Sequence, residues 1–388
     1  MKQLKTQDLL HQRNTKLVLR EMFNHQAISR VDIARQLRLN KSTVSSLYSE
    51  LEKKGYTVEI GAGESTKVGG RRPVMLKINA RHGYFLSFDL GFNHLHVMAN
   101  YFNGDVVYFH RISTRGEAIQ QILAAIDNEI QKAFQKIQTE TGLLGICFSV
   151  HGVVSNNTVV TSPWVDLRGV DLVANFSAKY AVPVVLENEA NLAAIYERDF
   201  NGTDGKENIL MVSIHKGIGA GIIWNNQLYR GFNGTAGEIG RSLMVTDGNS
   251  AGSDKGQKVE DYCSEDAIID QIKEKKKLAH LVRDDVVKLD QANDTEVQTI
   301  LANFSVAIAR IIFNVATTLA PEAIYINSPL IEAIPRLMDQ IKSAGSQLGI
   351  QQPVKLTNNS SYATMLGGCS LLLHQVLDME DFDLHFAD

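Results

Sequence analysis

Two short polar segments carry the side chains best suited to binding a small molecule. Residues 187–191 (ENEAN) directly follow an apolar stretch at 184–186 that is typical of a strand, and residues 236–241 (AGEIGR) are followed by Glu260. Carboxylates and amides at the end of a strand suit a polyhydroxylated ligand, because each hydroxyl both donates and accepts hydrogen bonds. The alternative is that these residues lie at the N-terminus of a helix, where acidic side chains are favourable. Both interpretations stay open on these segments alone.

A second group of polar side chains is suited to contacting DNA. Residues 29–56 predict two helices joined by a tight turn, capped by Ser29 and Asn40, with Gly55 at the end and a further helix at 14–25 packed beneath. The predicted buried side of the second helix recurs at helical spacing: Val44, Leu47 and Leu51. Its other side presents the small donors and the cation of a recognition helix: Lys41, Ser42, Thr43, Ser45 and Ser46. The alternative is an ordinary helical hairpin with a solvated serine face.

Two short apolar stretches around a polar loop predict a wing behind these helices. The stretches lie at 57–60 and 73–78, and the loop between them ends in GGRRP at 69–73. Glycines allow close approach of the backbone, and Arg71 and Arg72 are placed to enter a minor groove or to hold phosphates. Taken alone, the loop is equally well explained as flexible and solvated.

Net charge divides the chain into two parts. Residues 1–78 hold 15 lysines and arginines against 7 acidic residues, a net charge of +8, and the remainder holds 24 against 36, a net charge of −12. A basic N-terminal part on an acidic remainder indicates a polyanion partner for the N-terminal part alone. We therefore expect that part to bind double-stranded DNA.

Composition points to a globular protein of two or three domains, because 388 residues are too many for one compact core. No run of 18 apolar residues occurs, and residues 1–14 lack the apolar core of a signal peptide. We therefore expect a cytoplasmic protein with no membrane partner. The three cysteines show no metal-type spacing and are expected to be buried in a reducing compartment: Cys147, Cys263 and Cys369.

Beyond residue 80 a similar order of elements occurs twice. A strand predicted at 84–91 is followed by a hairpin and then by a helix and a buried strand at 144–150. A strand predicted at 209–213 is followed by a glycine-rich turn at 217–221, further short strands and then helices. Two such copies indicate two similar lobes with a ligand cleft between them.

Five features in the same order resemble the ROK family (repressors, open reading frames and sugar kinases), and within it the xylose repressors. They are NKSTVSS (40–46), GGRRPVML (69–76), LENEANLAA (186–194), LYRGFNGTAGEIG (228–240) and the spacing to Glu260. Each is weak alone, but together they run almost from end to end of the chain. The resemblance implies sugar contacts on five residues: Asn188, Glu189, Glu238, Arg241 and Glu260.

The fold class implied by the resemblance is α/β, with an N-terminal winged helix-turn-helix and a two-lobed, actin-like body. The expected domains are 1–80 for DNA binding, 81–200 for the first lobe, completed by a C-terminal helix near 365–388, and 201–364 for the second lobe. The implied function is a repressor, not an enzyme, that binds a palindromic operator as a homodimer and is released by a sugar, xylose by resemblance. The alternatives are a different effector (a sugar phosphate, another sugar or a protein partner) or a sugar kinase.

Several positions depart from the kinases of the family. Those kinases carry an aspartate general base where this chain has Glu189, whose extra methylene moves the carboxylate by about 1.5 Å, a shift that catalysis tolerates poorly. On the nucleotide side, 89–91 (DLG) is kept, but Phe92-Asn93 replaces small residues, Lys216 replaces a threonine and 327–329 (NSP) replaces a double glycine. Kinase activity is therefore not expected.

The structural zinc site of the family is expected to be lost. Its histidine and three cysteines correspond, in this order, to Arg241, Ala251, Ser253 and Lys258. Zinc needs thiolate or imidazole donors here, so we expect no cofactor at these positions. The family histidine also contacts the sugar, and His151 and Trp164 replace a proline and an asparagine of the cleft. These three changes leave the identity of the inducer open, and Arg241 could favour an acidic or phosphorylated sugar.

Overall fold

The N-terminal part contains three helices and a small antiparallel sheet. The structure is a computed structural model that describes residues 6–63, 72–163, 165–167, 169–202, 205–243, 258–380 and 382–386. The N-terminal elements are α1 (Thr6–Phe23), β1 (Ile28–Ser29), α2 (Arg30–Gln36), α3 (Lys41–Lys53), β2 (Thr57–Ala62) and β3 (Val74–Ile78). β3 pairs antiparallel with β1 and with β2. This is the element order of a winged helix-turn-helix, with α2 and α3 as the helix pair and β2–β3 as the wing.

Local hydrogen bonding sets the ends of α2 and α3. The Ser29 hydroxyl accepts the backbone N–H of Asp32 at 3.2 Å and lies 2.6 Å from its carboxylate, so the predicted cap is confirmed. Asn40 occupies the cap position of α3, but the expected capping by its side chain is wrong, because that side chain makes no capping hydrogen bond. Gly55 follows α3 with φ of +78°, the left-handed conformation predicted for it.

The first helix begins earlier than predicted. Residues 14–25 were expected to be helical, whereas α1 starts at Thr6 and ends at Phe23. The segment before residue 14 contains no glycine or proline, so nothing in it stops the helix. The second half of α1 carries the buried residues, among them Val18 and Met22, and α1 packs against α3.

Two five-stranded sheets with the same topology form the body. The first-lobe segment contains β4 (Tyr84–Leu90), β5 (His94–Tyr101), β6 (Val106–Ser113), α4 (Ile119–Lys136), β7 (Leu143–Val150), β8 (Val153–Ser155), β9 (Thr158–Thr161), α5 (Leu172–Tyr180), β10 (Val184–Asn188) and α6 (Glu189–Asp199). The rest contains β11 (Ile209–Ile214), β12 (Ile218–Trp224), β13 (Gln227–Leu228), α7 (Glu260–Cys263), α8 (Glu265–Lys276), α9 (Arg283–Gln291), α10 (Thr295–Leu319), β14 (Ala323–Asn327), α11 (Pro329–Ala333), α12 (Arg336–Leu348), β15 (Val354–Leu356) and α13 (Ser360–Val376).

The strand orders confirm the predicted repeat. They are β10-β7-β4-β5-β6 in the first sheet and β13-β12-β11-β14-β15 in the second. The first strand of each sheet, β4 or β11, pairs antiparallel with the next strand in the chain and parallel with a later one. The body is therefore the two-lobed α/β fold that the sequence predicts.

Two helices connect the sheets. α13 packs on β4 and β7 of the first sheet, α6 packs on β11 and β12 of the second, and the two helices pack against each other. The predicted division at residue 200 assigned α6 to the first lobe, whereas its main sheet contacts are with the second. α6 and α13 therefore form a helix pair through which one lobe packs against the other.

The prediction of a glycine-rich turn at 217–221 is wrong, because most of that segment lies inside β12. A Cβ placed on Gly221 would lie only 2.2 Å from the carbonyl oxygen of Ala190 in α6. The glycine therefore allows the helix to approach the strand closely.

Among the described residues, one helix, α10, is long and apolar enough to cross a membrane by length and composition alone. It packs against α8 and α12, and its buried side, which includes Leu301 and Ile308, belongs to the core of the second lobe. We interpret α10 as a core helix.

The three cysteines are free and buried, as expected.

Candidate functional site

Glu189 is surrounded by polar groups at the start of α6. Its side chain is only 8% exposed, and its two carboxylate oxygens lie 3.0 and 2.7 Å from the donating Ser213 hydroxyl. Oε1 also accepts hydrogen bonds from Asn327 Nδ2 at 2.9 Å and Thr364 Oγ1 at 3.2 Å, and it lies 3.2 Å from His215 Nε2. β11, β14 and α13 thus hold this carboxylate in place between the lobes.

The same surroundings keep Glu189 ionised. Burial by itself raises the pKa of Glu189, but His215, His151 and the Ser213 hydroxyl outweigh burial and lower that pKa to about 2. The site therefore presents a fixed hydrogen-bond acceptor at neutral pH.

Asn188 acts as the cap of α6. Its Oδ1 accepts the backbone N–H groups of Ala190 and Asn191 at 2.9 and 3.2 Å, and its Nδ2 donates to the Gly152 carbonyl at 2.8 Å. The interpretation as a helix N-terminus is therefore correct for this residue. A role for Asn188 in sugar binding stays a prediction.

Three other predicted sugar residues lie together beside the turn between β11 and β12. Arg241 Nη1 is 3.8 Å from Glu238 Oε2. Glu260 Oε2 would lie 3.1 Å from a Cβ on Gly217 in that turn. Burial raises the pKa of Glu238, Arg241 opposes that shift and Glu260 adds to it. The structure thus brings two carboxylates and one guanidinium into one polar group.

His215 connects this polar group to Glu189. Its ring contacts the Glu189 carboxylate, and its backbone N–H donates to the Gly217 carbonyl at 3.0 Å, in the turn beside which Glu260 lies. The sequence analysis missed His215. Its position directly after an apolar strand is the same signal that identified residues 187–191.

A second polar cluster lies where β4, β5 and β7 end or begin. Asp89 Oδ1 is 3.0 Å from His151 Nε2, and Asp89 Oδ2 is 3.4 Å from His96 Nδ1 and 3.9 Å from His94 Nε2. The His151 ring centroid lies 5.9 Å from that of His215, so the two clusters are neighbours. The sequence analysis missed His94 and His96.

Charge interactions in this second cluster shift several pKa values. Burial by itself raises the pKa of Asp89, but His151 and His96 lower it well below its usual range. Burial lowers the pKa of His151, yet the Asp89 carboxylate raises it to about 9 overall. Burial and neighbouring His96 lower the pKa of His94 to about 3. At neutral pH, His94 is therefore uncharged and His151 is protonated.

A sequence model of the ROK family matches residues 85–372. The chain belongs to the ROK family. The xylose repressor of Lactiplantibacillus pentosus is 46% identical to it over 380 residues, which cover 98% of this chain and 97% of that protein. The xylose repressor of Staphylococcus xylosus is 36% identical over 375 residues, covering 96% and 97%.

A solved structure extends the likeness of this ROK protein to the N-terminal part. The crystal structure of a ROK family transcriptional regulator, a homolog of the E. coli MLC protein, matches with a TM-score of 0.78 at 20% identity. The match covers 96% of this chain and 97% of the other. At that identity the likeness shows the fold, which includes the helices before residue 80.

The predicted DNA-contacting residues of this ROK protein lie on the outer side of α3 and beside the wing. Lys41, Ser42 and Ser46 are exposed, whereas Thr43 and Ser45 are half-buried. Arg72 is exposed, and Arg71 lies outside the described residues. The buried side of α3 is confirmed: Val44, Leu47 and Leu51.

The zinc prediction for this ROK protein is covered only in part by the described residues. Arg241 and Lys258 are described, and Lys258 Nζ lies 3.5 Å from Glu260 Oε1. Ala251, Ser253 and the cleft residue Trp164 lie outside the described residues. A guanidinium and an ammonium donate hydrogen bonds and do not ligate zinc, so the expected loss of this site stays a prediction with chemical support.

A cavity of about 370 Å³ lies apart from the predicted sugar residues. Its lining runs from Thr158 in β9 to Leu172 at the start of α5 and includes Leu186. None of the five predicted sugar residues, all of them described, belongs to this lining. We place the candidate site at the cluster around Glu189 and the neighbouring cluster around Asp89, because the charged and hydrogen-bonding side chains lie there.

Proposed function

We propose that this ROK protein is a cytoplasmic, sugar-responsive transcriptional repressor with no catalytic activity. One observation carries the proposal: a helix pair with exposed Lys41, Ser42 and Ser46 is joined to a two-lobed body that holds the buried carboxylate of Glu189 between its lobes. The likeness to xylose repressors over almost the whole chain supports operator DNA as partner and xylose as effector.

The sugar binds between the polar group of Glu238, Arg241 and Glu260 on one side and the pair of Glu189 and His215 on the other. Glu238 and Glu260 accept hydrogen bonds from sugar hydroxyls, and Arg241, whose side chain is 57% exposed, donates to a sugar oxygen. Glu189 and His215 bound the site on the side of α6. Such a mixture of acceptors and a donor suits a polyhydroxylated ligand such as a pentose, because each hydroxyl can both donate and accept hydrogen bonds.

The surroundings of Glu189 argue against phosphoryl transfer. A general base needs to reach the hydroxyl that it deprotonates, but Glu189 already accepts hydrogen bonds from Ser213, Asn327 and Thr364. On the nucleotide side, Lys216 Nζ lies 3.8 Å from the ring centroid of Phe92, in place of the small residues expected in a kinase. The carboxylate therefore acts as a structural acceptor.

Helix α6 provides a direct physical path from the sugar site toward the DNA-binding part. Glu189 begins the helix and Asp199 ends it, about 15 Å apart at the usual rise per residue. Asp199 is fully buried and accepts hydrogen bonds from Arg198 at 2.6 and 2.7 Å and from Ser370, with His374 Nε2 at 3.1 Å. A shift of α6 on sugar binding is therefore transmitted to α13.

The C-terminal segment after α13 continues this path to α1. The backbone N–H of Phe386 donates to the Asp199 carbonyl at 2.9 Å. Asp383 pairs with Arg20 of α1 at 3.3 Å, and the backbone N–H of His385 donates to Asn24 Oδ1 at 2.8 Å. The same few residues thus contact α6 on one side and the DNA-binding part on the other.

We propose a homodimer formed through the body. A two-fold protein binds a palindromic operator and sets its half-sites about one or two helical turns apart. Sugar binding that changes the angle between the lobes would change the distance between the two recognition helices. The sugar releases the operator only if it binds one of these two arrangements more tightly.

Fluorescence anisotropy tests this function. The purified chain is bound to a labelled palindromic fragment from its own promoter region and titrated with xylose, glucose, other pentoses and sugar phosphates. Release by xylose alone is expected. Tight binding that no sugar or sugar phosphate changes would contradict a sugar effector, and release by a sugar phosphate alone would favour the alternative to which Arg241 points.

Two variants separate DNA binding from sugar binding. Glu238→Ala should abolish release by xylose and leave operator affinity unchanged, because Glu238 lies in the body. Arg72→Ala should weaken operator binding and leave sugar affinity unchanged, because Arg72 lies beside the wing. Loss of both activities in each variant would contradict the assignment of the two parts.

A further inference from the structure

Three side chains of the first lobe direct metal-ligating atoms toward a common point. Asp89, His94 and His96 each offer one such atom, and these atoms all lie within 4.8 Å of one another. In the part of the chain that the structure describes, no other group of three histidine, cysteine or acidic residues meets this condition. We propose that Asp89, His94 and His96 bind a divalent transition-metal ion of the zinc class, at a site distinct from the positions that correspond to the structural zinc site of the family.

Strand geometry places the ligands. His94 and His96 are two residues apart on β5, so their side chains leave the same face of the sheet. β4 pairs antiparallel with β5, and Asp89 stands directly opposite His96 in that register. All three ligands therefore belong to two hydrogen-bonded strands, a more rigid support than a loop.

The two oxygens of Asp89 have separate partners. Oδ1 accepts the Ser149 hydroxyl at 2.7 Å and lies 3.0 Å from His151 Nε2. Oδ2 faces the two ligand nitrogens of His94 and His96. Ligating carboxylates in metal sites are commonly oriented in this way by hydrogen bonds to the oxygen that does not bind the metal.

The distances suit a small metal ion. In a tetrahedral zinc site with bonds of about 2.0–2.2 Å, ligand atoms lie about 3.3–3.5 Å apart. The distance from Asp89 Oδ2 to His96 Nδ1 is already 3.4 Å, and that to His94 Nε2 is 3.9 Å. Closing the second distance requires a movement of about half an ångström by a side chain that is 25% exposed.

The ligand set indicates the type of metal and an open coordination position. Two imidazoles and one carboxylate suit zinc and neighbouring transition metals, whereas magnesium and calcium prefer oxygen ligands. Three protein ligands leave a fourth position for water or for a hydroxyl of a bound molecule. The competing explanation is that the histidines only hydrogen-bond to Asp89, which predicts no metal binding.

Metal titration tests the proposal independently of the repressor function. The full chain, without an affinity tag and after chelator treatment, is titrated with ZnCl₂ in competition with a chromophoric zinc indicator. We expect one equivalent of zinc, and we expect His94→Gln and His96→Gln each to weaken binding about tenfold or more. Ser149→Ala should weaken it about 10–100-fold without removing a ligand, since it frees the Asp89 carboxylate.

His110→Gln is the matched control. His110 lies on the neighbouring strand β6 and pairs at 2.9 Å with Glu129 of α4, and among the described residues this histidine–carboxylate pair belongs to no group of three metal-ligating side chains. Zinc affinity should be unchanged in this variant. Failure of the parent chain to bind one equivalent of zinc, or equal binding by a His94→Gln/His96→Gln double variant, would overturn the proposal.

Discussion

Replacing Phe386 with alanine should separate sugar binding from operator release. The Phe386 side chain is buried, with its ring centroid 4.3 Å from that of Phe200, directly after α6, and 5.7 Å from that of Phe23 at the end of α1. Its backbone hydrogen bond to Asp199 remains possible in the variant. The substitution therefore removes the ring contact between Phe386 and Phe23, keeps the Asp383–Arg20 pair, and changes no residue of the candidate sugar site.

The size of the effect follows from the burial of Phe386. Truncating a buried phenylalanine costs about 3–5 kcal/mol, which includes the loss of its aromatic contacts. Coupling between a ligand site and a second site usually amounts to about 1–3 kcal/mol, or about 5–150-fold in affinity. If the coupling passes through the Phe386 side chain, its removal should lower the ratio of operator Kd with and without sugar from this range toward about twofold or less.

Two measurements test this prediction. Operator Kd is measured by fluorescence anisotropy with and without xylose, and sugar affinity is measured by isothermal titration calorimetry. Phe134→Ala is the matched control, because Phe134 lies on α4, is 44% exposed and contacts only Tyr180 among the described aromatic rings. Undiminished release by xylose in Phe386→Ala would refute a path through the Phe386 side chain, and loss of sugar binding itself would contradict the expected separation of sugar binding from operator release.

Three further predictions concern charge, pH and catalysis. Arg72→Ala should reduce the slope of log operator affinity against log salt by about 1, as for one lost phosphate contact; an unchanged slope would remove Arg72 from the interface. The hydrogen bond to Asp383 raises the pKa of His385, so its contribution to stability is complete below about pH 6.5 and is lost as pH rises through the higher folded-state value. The difference in Tm between the parent and His385→Gln should therefore shrink toward alkaline pH, and a difference that grows would contradict this assignment. Coupled ADP detection with xylose and ATP should show no turnover, and a rate that Glu189→Gln abolishes would establish a kinase instead.

Local interactions explain why so much of the N-terminal part was predictable. The Ser29 cap, the positive φ of Gly55 and the buried side of α3 depend on residues within a few positions of one another. The repeated sheet was predictable for a related reason, since each copy begins with a strand and a hairpin that are contiguous in sequence. Resemblance then supplied what local patterns could not, namely which of several polar segments belong to one cleft.

The errors came from positions where a distant element decides. Segment 217–221 has the glycines of a turn, but they serve the approach of α6 to β12, which no local pattern reveals. Asn188 shows the same limit in another form, since its amide serves the α6 backbone and Gly152 while its predicted role in sugar binding stays a prediction. Local sequence could not distinguish these roles, because the same residue type satisfies either one.

The sequence by itself determined the order of helices and strands, the division of charge and the family. Only the tertiary structure decided that His151 meets Asp89, because β7 pairs with β4 across a long separation in the chain. It also decided that Phe386 meets Phe23, at the opposite end of the chain. Contacts of this kind depend on long-range packing, whose free energy is shared among many residues and is not contained in any short segment of the sequence.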